Sequence, residues 1–237
     1  IRDDVESRGL GDVYKRQNYK HPDRVKVTGT PVRVDFLSQS KAQAKRELGI
    51  PEDRPLVASV WGSLGAAHMN EIMTDFIVRA CAKPFFNLIH SAGKARYSRM
   101  KDALEREKPD YARLGMDVRD YIYDMPRVMA AADLVLCRAG ASTLAELTAM
   151  GKPAILVPSP NVTNNHQEKN ARVLEDAGGA KVMLEQDFTA DSLLGLVSEL
   201  LQRPERLKEM SQNMLGLGVP DATDRIADIV LGLAERK

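Results

Sequence analysis

At 237 residues, with 43% hydrophobic and 28% charged side chains, the chain has the composition of a globular protein, long enough for one large α/β domain or two small ones. A net charge of +1 gives no support for nucleic-acid binding or for a strongly basic membrane surface, so partners have to be argued from sites. Both cysteines, Cys81 and Cys137, sit in apolar surroundings and read as packed reduced thiols, which fits a cytoplasmic setting. No apolar run approaches the roughly 18 to 20 residues of a membrane span, and no signal-peptide pattern occurs.

Residues 1–17 (IRDDVESRGLGDVYKRQ) lack periodicity and read as non-native sequence or a disordered polar tail. Residues 18–32 form a linker and hinge, residues 33–220 an α/β domain, and residues 221–237 a terminal amphipathic helix. Val25 to Val27 is expected to be a short strand entering the TGTPVR turn, where Pro31 fixes the backbone so that Arg33 leaves in a defined direction. Ser40 can cap a helix running to about Leu48, and Leu56 to Val60 is a buried strand. Met69, Ile72, Met73, Phe76 and Ala80 then follow helical spacing. Gly62 and Gly65 allow a tight turn between that strand and helix, placing Ser63 and nearby N–H groups beside any bound phosphate.

A dinucleotide fold is disfavoured. The turn lacks G-x-G-x-x-G, and the next strand, Phe85 to Ile89, ends in His90 and Ser91 without the acid that would hold an NAD ribose. His90 and Lys94 stand at that strand end, where ligand contacts are feasible, but a loop histidine and an exposed lysine are the default expectation. Tyr97 to Glu107 is a charged amphipathic helix, Val118 to Ile122 a strand, and a short helix starts at Met125.

The stretch Asp133 to Asn170 organises the chain. Leu134 to Cys137 and Ala154 to Val157 are continuous apolar runs, as in parallel strands covered on both faces. The helix between them starts near Ala141, Ser142 and Thr143 and stops at Gly151 and Pro153, so its N-terminus offers free N–H groups to an anion. Glu146 has two readings at this point. It can hold the two hydroxyls of a ribose, or it can form a T-x-x-E capping box with Thr143. After Pro158, a polar loop leads into a helix from about Asn165 to Ala177, stopped by Gly178 and Gly179. Asn164, Asn165, His166, Gln167 and Asn170 make an amide-rich cluster suited to reading sugar hydroxyls, while capping and turn formation account for part of it without a ligand.

Ala180 to Leu184 supplies a last strand, followed by helices at Ala190 to Gln202 and Pro204 to Leu215. In the terminal stretch, Ile226, Ile229, Val230 and Leu233 form one apolar stripe that needs a cover. This order of elements predicts a doubly wound, largely parallel, Rossmann-like α/β sheet with ligands along the carboxyl ends of its strands. Gly62, Gly65, Ala141 and Ser142 are the candidate phosphate-loop residues.

The string Cys137 to Ala171 resembles the signature region of the MurG-type glycosyltransferases. VTGTPVR (Val27 to Arg33), GSLGA (Gly62 to Ala66), HSAGK (His90 to Lys94) and YIYDM (Tyr121 to Met125) match in the same order. That family transfers N-acetylglucosamine from UDP-GlcNAc to undecaprenyl-pyrophosphoryl-MurNAc-pentapeptide. The resemblance covers about Val25 to the C-terminus, the second half of such an enzyme. It implies the donor-binding half of a GT-B glycosyltransferase, with Arg33 at the interdomain hinge, the Ile122 main chain on uracil and Glu146 on ribose. Ser63 and Thr143 would face the pyrophosphate, and His166, Gln167 and Asn170 the GlcNAc. Thr30, Trp61 and His166 depart from the usual Asn, Gly and Gln.

No cofactor is implied, and the absence of D-x-D from the sequence argues against a metal-chelating aspartate pair. The catalytic base and the lipid-pyrophosphate loops would belong to an N-terminal half. The chain alone is therefore expected to bind UDP-GlcNAc weakly and not to complete transfer. In the family's two-domain architecture the final helix returns toward the N-terminal domain, so an exposed apolar patch is expected on that helix or on the domain-facing side. The acceptor would be lipid-linked, with peripheral association at the cytoplasmic face of the inner membrane only in the full-length enzyme, and no nucleic acid is implied. The alternatives are the donor half of a related lipid glycosyltransferase using UDP-glucose, and a non-catalytic nucleotide-binding module.

Overall fold

The computed structural model describes residues 21, 25–62 and 67–235. Six strands form one sheet: β1 (Leu56–Val60), β2 (Asn87–Ser91), β3 (Met116–Arg119), β4 (Leu134–Cys137), β5 (Ala154–Leu156) and β6 (Ala180–Val182). Their order is β3-β2-β1-β4-β5-β6, and every pairing is parallel. Nine α-helices lie among the described residues: α1 (Lys41–Glu47), α2 (Ala67–Ala80), α3 (Tyr97–Glu107), α4 (Met125–Ala131), α5 (Ala141–Ala149), α6 (His166–Asp176), α7 (Ala190–Leu201), α8 (Pro204–Leu217) and α9 (Ala222–Ala234).

Alternate residues of the strands enter opposite cores, which is why β4 and β5 read as unbroken apolar runs. Val57, Leu88, Leu136 and Ile155 pack with Met73 and Phe76 of α2, Leu104 of α3 and Val197 of α7. Ala58, Ile89, Val135 and Leu156 pack with Ala44 of α1, Val128 of α4, Leu147 of α5 and Leu174 of α6. At the amino end of the sheet Asp133 accepts from the Leu56 N–H at 2.8 Å and pairs with Lys41 and Lys45, joining β4 to β1 away from the ligand edge. Cys81 and Cys137 are buried free thiols, as expected.

Several sequence expectations shift. Val25 to Val27 is not a strand: the segment follows the loop between α8 and α9, where a Cβ on Gly29 would lie 2.8 Å from Val219 Cβ. The strand expected at Phe85 to Ile89 is displaced to Asn87–Ser91 by its register, which sets Leu56 opposite Asn87. The strand expected at Val118 to Ile122 is Met116–Arg119, starting after Gly115, whose φ of +92° lets the backbone pass over the Asn87 side chain. Before α6 a 3-10 turn, Thr163–Asn165, carries two left-handed residues, Asn164 (φ 55°) and Asn165 (φ 52°). On α9, Val230 and Leu233 are exposed and Ile226 and Ile229 half-buried among the described residues, so the expected apolar stripe is present.

Candidate functional site

Strand order reverses at β1, whose neighbours are β2 on one side and β4 on the other. In an open parallel sheet the crevice that accepts ligands lies at this switch point, outside the carboxyl ends of the strands. Two turns emerge there. β1 runs into Trp61 and Gly62, whose φ of +94° demands glycine, and β4 runs through Arg138 and Ala139 into Gly140. Ser63 and Gly65 lie outside the described residues.

Gly140 is the N-cap of α5 and, having no side chain, leaves the first N–H groups of the helix, at Ala141, Ser142 and Thr143, without a side-chain acceptor. The capping box is absent. Thr143 is the third residue inside the helix, so its hydroxyl cannot cap it, and Glu146 lies beyond the first turn. Among the described residues the Glu146 carboxylate accepts no hydrogen bond. Burial pushes its carboxyl above the usual value; Arg33 nearby opposes that shift and Asp35 adds to it. Arg33 is exposed, pairs with Asp35 at 3.2 Å and lies 5.2 Å from the Phe36 ring centroid. The segment leading to it lies over α5, so that Val27, Gly29 and Thr30 share a cavity of about 300 Å³ with Ala141, Ala145 and Thr148. The structure thus brings Val27 to Thr30, Arg33 and the helix that carries Glu146 to one place.

Ile122 follows β3 with a buried side chain, and its main-chain N–H and C=O make no hydrogen bond among the described residues. Beside it, Tyr121 and Tyr123 hold their rings 4.9 Å apart, with Lys94 Nζ 5.9 and 5.4 Å from the two centroids. The neighbouring Tyr123 side chain raises the Lys94 pKa. This exposed aromatic pair and its cation escaped the sequence reading, although the Y-x-Y around Ile122 was a usable signal.

His90 overturns the loop assignment. It lies inside β2, opposite Ser59 of β1, and is fully buried. Its Nδ1 is 2.9 Å from Ser59 Oγ, which also accepts the Trp61 indole N–H at 2.9 Å, while Nε2 has no partner. Burial lowers its pKa to about 3, so it is a neutral core residue beyond the reach of a ligand.

The amide cluster gathers at the start of α6, after β5. Gln167 Oε1 accepts from the Ser159 N–H at 2.9 Å, and His166 Nδ1 donates to the Thr163 carbonyl at 2.9 Å. Asn170 is 5% exposed and its side chain has no hydrogen-bond partner among the described residues. A half-buried carboxylate without a hydrogen bond, such as Glu146, is costly, and polar ligand groups would relieve it. Arg138, also missed by the sequence reading, pairs with Glu185 beside this cluster. A charged residue directly after the apolar run LVLC was the available signal.

Comparison with known proteins gives the family and the fold. A model of the glycosyltransferase family 28 C-terminal domain matches residues 57–226. The chain is 41% identical over 220 residues to the UDP-N-acetylglucosamine--N-acetylmuramyl-(pentapeptide) pyrophosphoryl-undecaprenol N-acetylglucosamine transferase of Acetivibrio thermocellus, covering 92% of this chain and 58% of that protein. The enzyme of the same name from Desulfitobacterium hafniense is 39% identical over 208 residues, covering 88% and 56%. Among solved structures, MurG of Acinetobacter baumannii shares the fold, with a TM-score of 0.69 at 24% identity over 89% of this chain and 58% of that one. The chain thus spans a little over half the length of the relatives it matches. Since the family match covers most of its length, the chain belongs to the glycosyltransferase family 28 C-terminal domain family.

Proposed function

We propose that this chain is the donor-binding part of a MurG-type N-acetylglucosaminyltransferase and takes UDP-GlcNAc into the crevice between β1 and β4. The observation that carries the reading is Glu146, a half-buried carboxylate on α5 that neither caps its helix nor accepts a hydrogen bond among the described residues. A ribose diol supplies the two donors it lacks. The pyrophosphate lies against the α5 N-terminus at Ala141, Ser142 and Thr143, and we assign Ser63 and Gly65, which follow Gly62 in the sequence, to the same phosphates. Arg33 flanks the nucleotide, the Ile122 main chain pairs with uracil, and His166, Gln167 and Asn170 read the sugar hydroxyls.

In the whole enzyme, the muramyl C4 hydroxyl attacks the anomeric carbon with inversion as the bond to UDP breaks. The helix N-terminus and hydroxyls offset the charge that develops on the leaving pyrophosphate. The base that takes the hydroxyl proton belongs to the acceptor-binding part, and the lipid-linked acceptor brings the enzyme to the cytoplasmic face of the inner membrane as a peripheral protein. No nucleic acid takes part. None of the helices among the described residues is long and apolar enough to cross a membrane.

Calorimetric titration of UDP-GlcNAc into wild type and Glu146→Ala, with UDP-glucose and NAD as controls, tests the assignment. Saturable binding of UDP-GlcNAc in preference to the controls, weakened about tenfold or more in the variant, is expected. A folded wild-type chain that binds no UDP-GlcNAc, or a variant that binds it equally well, would overturn the assignment.

A further inference from the structure

Arg138 is anchored to the protein through one guanidinium nitrogen, Nη1. Its side chain is 18% exposed, and Nη1 donates to the carbonyls of Val157 and Pro158, both at 3.1 Å, and pairs with Glu185 Oε2 at 2.7 Å. The guanidinium carbon stands 6.0 Å from the Trp61 ring centroid, and that ring meets Phe188 edge-on at 5.3 Å. One side chain therefore ties four segments of the carboxyl edge together: the end of β1, the approach to α5, the first residues after β5, and the turn after β6.

The loop rooted at Val157 and Pro158 needs such a tie. It carries two consecutive left-handed asparagines, Asn164 and Asn165, which persist only where the surroundings hold them. It also presents the Ser159 N–H that orients Gln167, and it leads directly into His166 and Asn170. Displacing its root displaces the whole sugar-reading cluster. A guanidinium anchored through Nη1 to two carbonyls, with a carboxylate beside it, is held in place by the protein itself.

We infer that Arg138 is a positioning residue that fixes the loop after β5 against the α5 approach, and so sets the alignment of His166, Gln167 and Asn170 toward the donor sugar without touching the ligand. The inference rests on the donor-site reading and specifies how that site tells a nucleotide sugar from the bare nucleotide.

The test is the pair of dissociation constants for UDP and UDP-GlcNAc, measured on the full chain in wild type, Arg138→Met and Glu185→Gln, with thermal melting to confirm folding. Arg138→Met is expected to weaken UDP-GlcNAc about tenfold while changing UDP less than about threefold. Glu185→Gln, which removes the negative partner and keeps the arginine, should move the ratio the same way by a smaller factor. A direct phosphate ligand predicts the opposite pattern: equal loss of both ligands in Arg138→Met, and tighter UDP in Glu185→Gln as the guanidinium is released. Either of those results, or an unchanged ratio in folded variants, overturns the inference while leaving the donor site standing. A folded wild type that binds neither nucleotide overturns the donor site and the inference together.

Discussion

Glu146 carries a conflict between stability and binding that can be measured. Its carboxyl is held above the ordinary 4.5 because burial disfavours the charged form, with Arg33 compensating only in part. Between 4.5 and its raised value the folded chain holds a proton that the unfolded chain has released. Stability therefore falls as pH rises through that window, and near neutral pH the native state carries the desolvation cost of a carboxylate without a hydrogen bond. Glu146→Gln removes that charge, so its melting temperature near neutral pH is expected to equal or exceed that of wild type, even as UDP-GlcNAc affinity falls. A helix cap would give the reverse, a loss of about 1 kcal/mol. Differential scanning calorimetry of the two proteins decides it, and a clearly lower melting temperature for Glu146→Gln would remove the argument that this carboxylate is placed for a ligand. The sequence offered both readings at Glu146 and could not choose, because T-x-x-E does not state where the helix begins. The choice came from Gly140 occupying the N-cap.

At the scale of elements, the legible parts were those decided by local pattern. Leu56 to Val60, Tyr97 to Glu107 and Leu134 to Cys137 occur with the expected bounds, because short, mainly apolar runs and i, i+4 spacing need no partner to be read. The starts of β2 and β3 were not legible, since register with β1 and the turn at Gly115 set them. The capping box present at α7 joins Thr189 to Ser192 and lacks the acid that the sequence signature asks for.

His90 was misplaced for the same reason as the start of β2, and its true position has a consequence for acid stability. With a folded pKa of about 3 against the ordinary 6.5, the unfolded chain binds a proton that the folded chain refuses throughout that window. Its contribution is complete above 6.5 and is lost as pH falls toward 3, at up to about 1.4 kcal/mol per pH unit. Urea unfolding of wild type and His90→Gln across this range should show the gap between them shrinking as pH falls. Parallel curves would mean that His90 is not closed off between β1 and β2 as the geometry requires.

For the molecule as a whole, the sheet closes both of its faces but leaves one helix unsatisfied. α9 presents Val230 at 58%, Leu231 at 60% and Leu233 at 61% exposure, with Ile226 and Ile229 half-buried beside them. Side chains this apolar, clustered on one short helix, lower the free energy of any surface that covers them, at about 25 cal/mol for each Å² removed from water. The chain in isolation is therefore expected to bind a hydrophobic dye such as ANS while fully folded, and to self-associate as its concentration rises. Replacing Val230 and Leu233 together with lysine should reduce dye fluorescence severalfold and shift sedimentation toward the monomer. The thermal transition should stay near that of wild type, because neither side chain belongs to the two cores that hold the sheet. Dye binding that persists unchanged in the double variant would place the uncovered surface elsewhere, and a variant that unfolds would mean that α9 contributes more to the fold than its exposure indicates.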